Sequence, residues 1–120
     1  MTQSQNIQRL NTNEVMSGAI IHQGVVYLSG QVPARTDLDI KGQIQEVLNK
    51  IDELLALANT NKSRILSAQL FIKNLADFQT VNQIWMEWLK DCATPARATI
   101  QADLVNPEWL IEIAVIAAQA

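Results

Sequence analysis

Near its end the chain runs Leu110-Ile111-Glu112-Ile113-Ala114-Val115-Ile116-Ala117, eight residues of which seven are apolar and four β-branched. This run is too short to cross a membrane, which takes ~20 apolar residues, and its branched side chains favour a pleated surface. As a strand it puts Ile111, Ile113, Val115 and Ala117 on one face and Leu110, Ala114 and Ile116 on the other. Both faces therefore need cover, and the rest of the chain must supply a sheet around this strand. The same pattern isolates Glu112, whose carboxylate is costly to desolvate unless a partner or a ligand meets it.

The segments upstream alternate in period. Ile7 to Leu10 reads as a short strand, and Ala19 to His22 and Val25 to Ser29 read as a hairpin turning at Gln23-Gly24. A polar connector runs from Gly30 to Asp39. Ile40, Ile44, Val47, Leu48, Ile51, Leu54, Leu55 and Ala58 then follow the i, i+3, i+4 spacing of an amphipathic helix. Ile65 to Lys73 is a strand apolar on both faces. Asp77 is placed to cap a second helix, on which Phe78, Val81, Trp85, Trp88 and Leu89 keep helical spacing and Asn82 falls on the same stripe. Thr94-Pro95 ends it, and two strands follow, Ala96 to Leu104 and Leu110 to Ala117, around Asn106-Pro107-Glu108. The order is βββαβαββ, a single α+β domain over residues 1–120 with two helices on one face of a six-stranded mixed sheet.

Six strands at ~4.8 Å make a sheet ~25 to 30 Å wide, and two helices of ~10 Å diameter shield only one side of it. An uncovered apolar face invites aggregation, so it is expected to pack against further copies of the chain.

Composition narrows the function. The formal charge is −3, with nine Lys and Arg scattered along the chain, which is no footprint for nucleic acid. Met1 to Asn6 is polar and uncharged, unlike a signal peptide, and a cytoplasmic protein without a membrane span is the expectation. The single cysteine, Cys92, sits in no metal-ligand or redox spacing. No Gly-rich phosphate loop, nucleophile elbow or metal-ligand cluster is present, so the expectation is chemistry without metal or cofactor.

The remaining candidates are few. Arg97, in Pro95-Ala96-Arg97-Ala98-Thr99, carries a planar fork that can grip a carboxylate through two parallel hydrogen bonds; the alternative is a surface arginine in an ion pair. Thr99, Gln101 and Asp103 continue its face. Glu112 lies between Leu110 and Ala114, a setting suited to proton transfer, or else it makes a structural ion pair within an oligomer. Ser29-Gly30-Gln31 closes a strand where a missing side chain lets a ligand approach. Asn82 either points an amide into a pocket or bonds a neighbouring loop. If the last two strands paired as a simple hairpin, Glu112 would lie opposite Ala102 and ~16 Å from Arg97; the two would then meet only across a subunit boundary or through a shifted register.

Taken together, Tyr27-Leu28-Ser29-Gly30-Gln31-Val32-Pro33, then Phe78 with Val81-Asn82, Pro95-Ala96-Arg97 and Ile111-Glu112-Ile113 resemble the YjgF family, also called the Rid or reactive intermediate deaminase family. The resemblance spans nearly the whole chain. It implies a chorismate-mutase-like fold and a homotrimer with clefts between subunits. The implied reaction is hydrolysis of reactive enamine and imine metabolites, such as 2-aminoacrylate and 2-iminobutanoate, to 2-keto acids and ammonia. By the resemblance Arg97 clamps the substrate carboxylate, Glu112 helps place and deprotonate water, and Ser29, Gly30, Asn82 and Thr99 line the cleft. Two positions depart from the family pattern: Met16 stands where a tyrosine enters the cleft, and Thr99 where a cysteine is frequent. A second reading is a non-catalytic trimeric module that binds 2-keto acids or related carboxylates through Arg97.

Overall fold

A computed structural model describes residues 6–120; the expectation for the first five residues lies outside them. The elements are β1 (Gln8–Thr12), β2 (Ser17–His22), β3 (Val25–Leu28), α1 (Ile40–Leu57), β4 (Ile65–Ile72), α2 (Phe78–Trp88), β5 (Ala96–Gln101) and β6 (Ile111–Ala118). This is the βββαβαββ order that the periodicity predicts. The strands form one sheet in the order β1-β2-β3-β6-β4-β5. All neighbours are antiparallel except β4 and β5, whose parallel pairing requires a crossover that α2 provides.

Local chemistry accounts for the joints. The β2–β3 turn has positive φ at both Gln23 (52°) and Gly24 (77°), the backbone a two-residue hairpin needs. At the start of α1 the Asp39 carboxylate accepts from the Gly42 amide at 2.9 Å, satisfying one of the helix's orphan donors. Asp77 stands at the N-cap of α2 but makes no capping bond. It closes a 3-10 turn, Leu75–Asp77, so its backbone is already helical, whereas a capping side chain needs the extended conformation.

Both helices cover one face of the sheet. Ile44, Leu48, Ile51 and Leu55 of α1 and Val81 of α2 pack over Leu70, Ile72, Ile111 and Ile113, all fully buried; each contributes about 1.5–3 kcal/mol by leaving water. Gln43 is also fully buried. It is satisfied three times over, donating to the Leu38 and Glu108 carbonyls and accepting from the Leu110 amide. That amide ties α1 to the entry of β6, since a buried side-chain polar group left unpaired would cost about 1–3 kcal/mol.

One strand boundary is corrected, and the conditional hairpin is ruled out. The strand read as Ala96 to Leu104 stops at Gln101, because β4 ends at Ile72 and the Ala102 amide makes the last bond, to the Ile72 carbonyl. The final two strands do not form a hairpin; β4 lies between them.

The opposite face carries no helix. Tyr27 and Ile100 are 43% and 47% exposed there, beside half-buried Phe71, Ala114 and Ile116.

Candidate functional site

The sheet register decides where the candidate residues stand. Glu112 pairs with Phe71 and Phe71 with Ile100, whereas Arg97 pairs with Ala68 and Ala68 with Val115. Paired residues share a face and successive ones alternate, so Arg97 belongs to the helix-covered face and Glu112 to the open one. Their backbones are also two strands apart and three residues out of step, about 14 Å in all. Within one chain the structure does not bring them together.

The Arg97 half is built by β5 and α2. The guanidinium carbon lies 5.9 Å from the ring centre of Phe78 and 5.9 Å from that of Trp85, within cation–π range. Phe78, Asn82 and Trp85 occupy one stripe of α2, so Asn82 stands between the two rings along the helix. Thr99, two residues along β5 on the same face, has a buried hydroxyl with no hydrogen-bond partner. Arg97 itself is half-buried. Among the described residues the ion pair found is between Arg35 and Asp37 in the connector, at 2.9 Å, and no acid lies within ion-pair reach of Arg97.

The Glu112 half gathers at the end of β3. Gln31 exchanges two backbone hydrogen bonds with Ile113, at 2.8 and 3.1 Å, which draws Ser29-Gly30-Gln31 alongside Glu112. A Cβ on Gly30 would sit 2.1 Å from the Glu112 carboxylate. With Glu112 placed as it is no Cβ fits at Gly30, and Glu112 packs on bare backbone. The Ser29 amide donates to the Gly18 carbonyl at 3.0 Å, and the Gln31 side chain donates to the Ser29 carbonyl and hydroxyl at 3.0 and 3.2 Å. A groove of about 580 Å³ opens from this segment, lined by Met16, Ser29, Gly30, Lys50, Leu54 and Leu57 among others. Met16, at the position where the family tyrosine is expected, does face that groove.

Some of this was not readable from the sequence. Phe78 and Trp85 carry the stripe spacing of core residues, and only the placement of β5 turns them toward Arg97. The contact of Gly30 with Glu112 joins positions far apart in the chain. Cys92 is a free thiol, and no group of three or more His, Cys, Asp or Glu able to hold a metal ion occurs among the described residues. No helix described is long and apolar enough to cross a membrane.

Residues 6–119 match the family described as Endoribonuclease L-PSP. A RutC family protein from Haemophilus ducreyi is 42% identical over 112 residues, covering 93% of this chain and 96% of its own. The chain belongs to the YjgF, or Rid, family. A YjgF-family protein from Neisseria meningitidis, NMB1025, has a crystal structure that superposes with a TM-score of 0.94 at 32% identity, covering 98% of both chains. A more distant relative, from Acinetobacter baylyi, is named 3-aminoacrylate deaminase RutC; it is 31% identical over 99 residues, 78% of each chain. The two halves of the candidate site in this Rid-family chain thus sit on a fold shared with NMB1025 over 98% of the chain.

Proposed function

We propose that this protein hydrolyses reactive enamine and imine intermediates of the 2-aminoacrylate and 2-iminobutanoate type to 2-keto acids and ammonia, as a homotrimer. The observation that carries the reading is the half-buried Arg97 guanidinium with no acid in reach among the described residues. A buried cation left without an anion is a site for one, and a relative that acts on 3-aminoacrylate, by its name, handles a small unsaturated carboxylate.

In this reading Arg97 holds the substrate carboxylate, with Asn82 and the Thr99 hydroxyl beside it, while Glu112, Ser29 and Gly30 of a neighbouring copy close the cleft. The trimer is supported by the opposite faces on which Arg97 and Glu112 stand and by the apolar uncovered face. An enamine first takes a proton from solvent at carbon to give the iminium. Glu112 takes a proton from water as its oxygen bonds to the iminium carbon and the C=N π pair moves to nitrogen. Returning that proton to nitrogen makes ammonia the leaving group: the C–N bond breaks as the hydroxyl oxygen forms the carbonyl and gives its own proton to Glu112, which passes it to the departing ammonia and leaves the 2-keto acid. The iminium carbon is already electrophilic, so orientation and one proton shuttle supply the acceleration.

The family description names an endoribonuclease; the net charge of −3 weighs against RNA as the ligand here.

The deciding experiment generates 2-iminobutanoate in place with a threonine dehydratase and follows ammonia release. Wild type is expected to accelerate release and Arg97→Ala to abolish that acceleration. No acceleration by wild type, with 2-oxobutanoate still binding through Arg97, would move the weight to the non-catalytic carboxylate module. Light scattering on the same samples tests the trimer, and a monomer with full activity would overturn the shared cleft.

A further inference from the structure

An arginine that serves as a carboxylate clamp must be held without using up its hydrogen-bonding edge. The usual device, an acidic neighbour, would compete directly with the ligand. Among the described residues Arg97 has neither an ion pair nor a side-chain hydrogen bond. What it has is two aromatic rings at equal distance, Phe78 and Trp85, each 5.9 Å from the guanidinium carbon.

We propose that Phe78 and Trp85 form an aromatic bracket that fixes the orientation of the Arg97 guanidinium through its π faces, leaving its N–H edge free for a planar carboxylate. Both are positioning residues and neither contacts the reacting atoms. A guanidinium is planar, weakly hydrated and disposed to stack on rings, and ring faces attract a cation without accepting its in-plane donors. The inner member of the bracket is firmly anchored. Trp85 is 4% exposed and packs against Trp88 at 5.4 Å between ring centres, 46° apart. Trp88 in turn donates to the Asp52 carboxylate at 3.1 Å, which locks the α2 stripe to α1. Phe78 opens α2 and is 38% exposed, so it forms the outer jaw.

The arrangement also makes Arg97 a poor place for lysine. An ammonium on a flexible stem would keep the attraction to the rings but present no planar edge for them to orient.

The bracket is independent of the reaction, and only its consequence for ligand affinity rests on the functional reading above. The chain has four arginines, so the Nε–Hε signals in a ¹⁵N-labelled NMR spectrum are few, and Arg97→Lys identifies the one that disappears. In wild type the Arg97 Hε signal is expected upfield of the other three through ring-current shielding. Phe78→Leu keeps apolar bulk at an exposed helix start and is expected to retain the wild-type melting temperature. It should move Arg97 Hε toward its neighbours and raise KM for 2-iminobutanoate and the dissociation constant for 2-oxobutanoate about threefold to thirtyfold, the range of one cation–π contact, with kcat within about twofold. Trp85→Phe keeps a ring and should preserve both shift and affinity.

An unshifted Hε signal in wild type overturns the bracket whatever the ligand. A shift lost in Phe78→Leu with unchanged affinity overturns the positioning role. A shifted signal in a wild type that neither binds 2-oxobutanoate nor hydrolyses the imine overturns instead the functional reading and leaves the bracket standing.

Discussion

The two halves of the candidate site are built on different principles. Arg97 sits on an edge strand under a helix, with two rings of α2 from its own chain beside its guanidinium. Glu112 sits in the interior of the sheet, on the face without helices, against the bare backbone of Gly30. The first half lies beneath a helix of its own chain; the second lies on the sheet face that no helix covers. The contrast teaches that the two halves are set independently, one by β5 and α2 and the other by β6 and the end of β3.

The largest effect expected from this comparison is on turnover alone. On the proposed role of Glu112, Glu112→Gln removes the proton shuttle while keeping shape, so ammonia release should fall by about 10²- to 10⁴-fold, whereas 2-oxobutanoate binding measured by calorimetry should stay within about twofold. Equal loss of binding would show that the halves are one unit. Arg97→Lys is the converse test. Losing one of two charge-assisted bonds at about 1.5–3 kcal/mol predicts about tenfold to hundredfold weaker carboxylate binding, with the melting temperature unchanged.

Gly30→Ala is expected to act through Glu112. The new Cβ would meet the carboxylate at 2.1 Å, and that carboxylate is the far end of a flexible side chain. It swings aside at little cost in stability, about 1 kcal/mol or less, while turnover falls about tenfold or more. In a Glu112→Gln background the same substitution should cost little more, and a fully additive loss in that double-mutant cycle would break the link.

The smallest effect belongs to the connector. Asp37 is held below its ordinary carboxylate value chiefly by the hydrogen bond from Arg35, and its charge adds to the pull. A depressed value means that the pair's contribution is present above the unfolded carboxylate range and is lost as pH falls through the folded value. Both side chains are well exposed, 61% and 70%, so solvent screens the pair. Asp37→Asn should therefore leave the melting curve at pH 7 unchanged and touch neither half of the site.

Much of the architecture was legible in one dimension. The stripe from Ile40 to Ala58, the alternation of Ile111, Ile113, Val115 and Ala117, and the Gln23-Gly24 turn each report a local period or a local backbone need. Burial then follows the same residues. Arg97 and Glu112 stood out for a related reason, since each is a charge set among apolar neighbours. Other features had no local signature. Asp77 has the right chemistry for a cap, but the 3-10 turn before it fixes its backbone in the helical region. Gln43 sits on a buried stripe as an anomaly whose partners, Glu108 and Leu110, are far along the chain.

The sequence by itself determined the element order, the helix faces and which charges are costly to bury, because these depend on spacing within a segment and on side-chain chemistry. Only the tertiary structure decided that β4 parts β5 from β6, that Arg97 and Glu112 face opposite sides, that Gly30 lies against Glu112, and that two rings bracket the arginine. Those outcomes rest on strand order and register. A strand's faces are set by its own sequence, but its neighbours are chosen by how the whole sheet buries its apolar surface and satisfies its backbone.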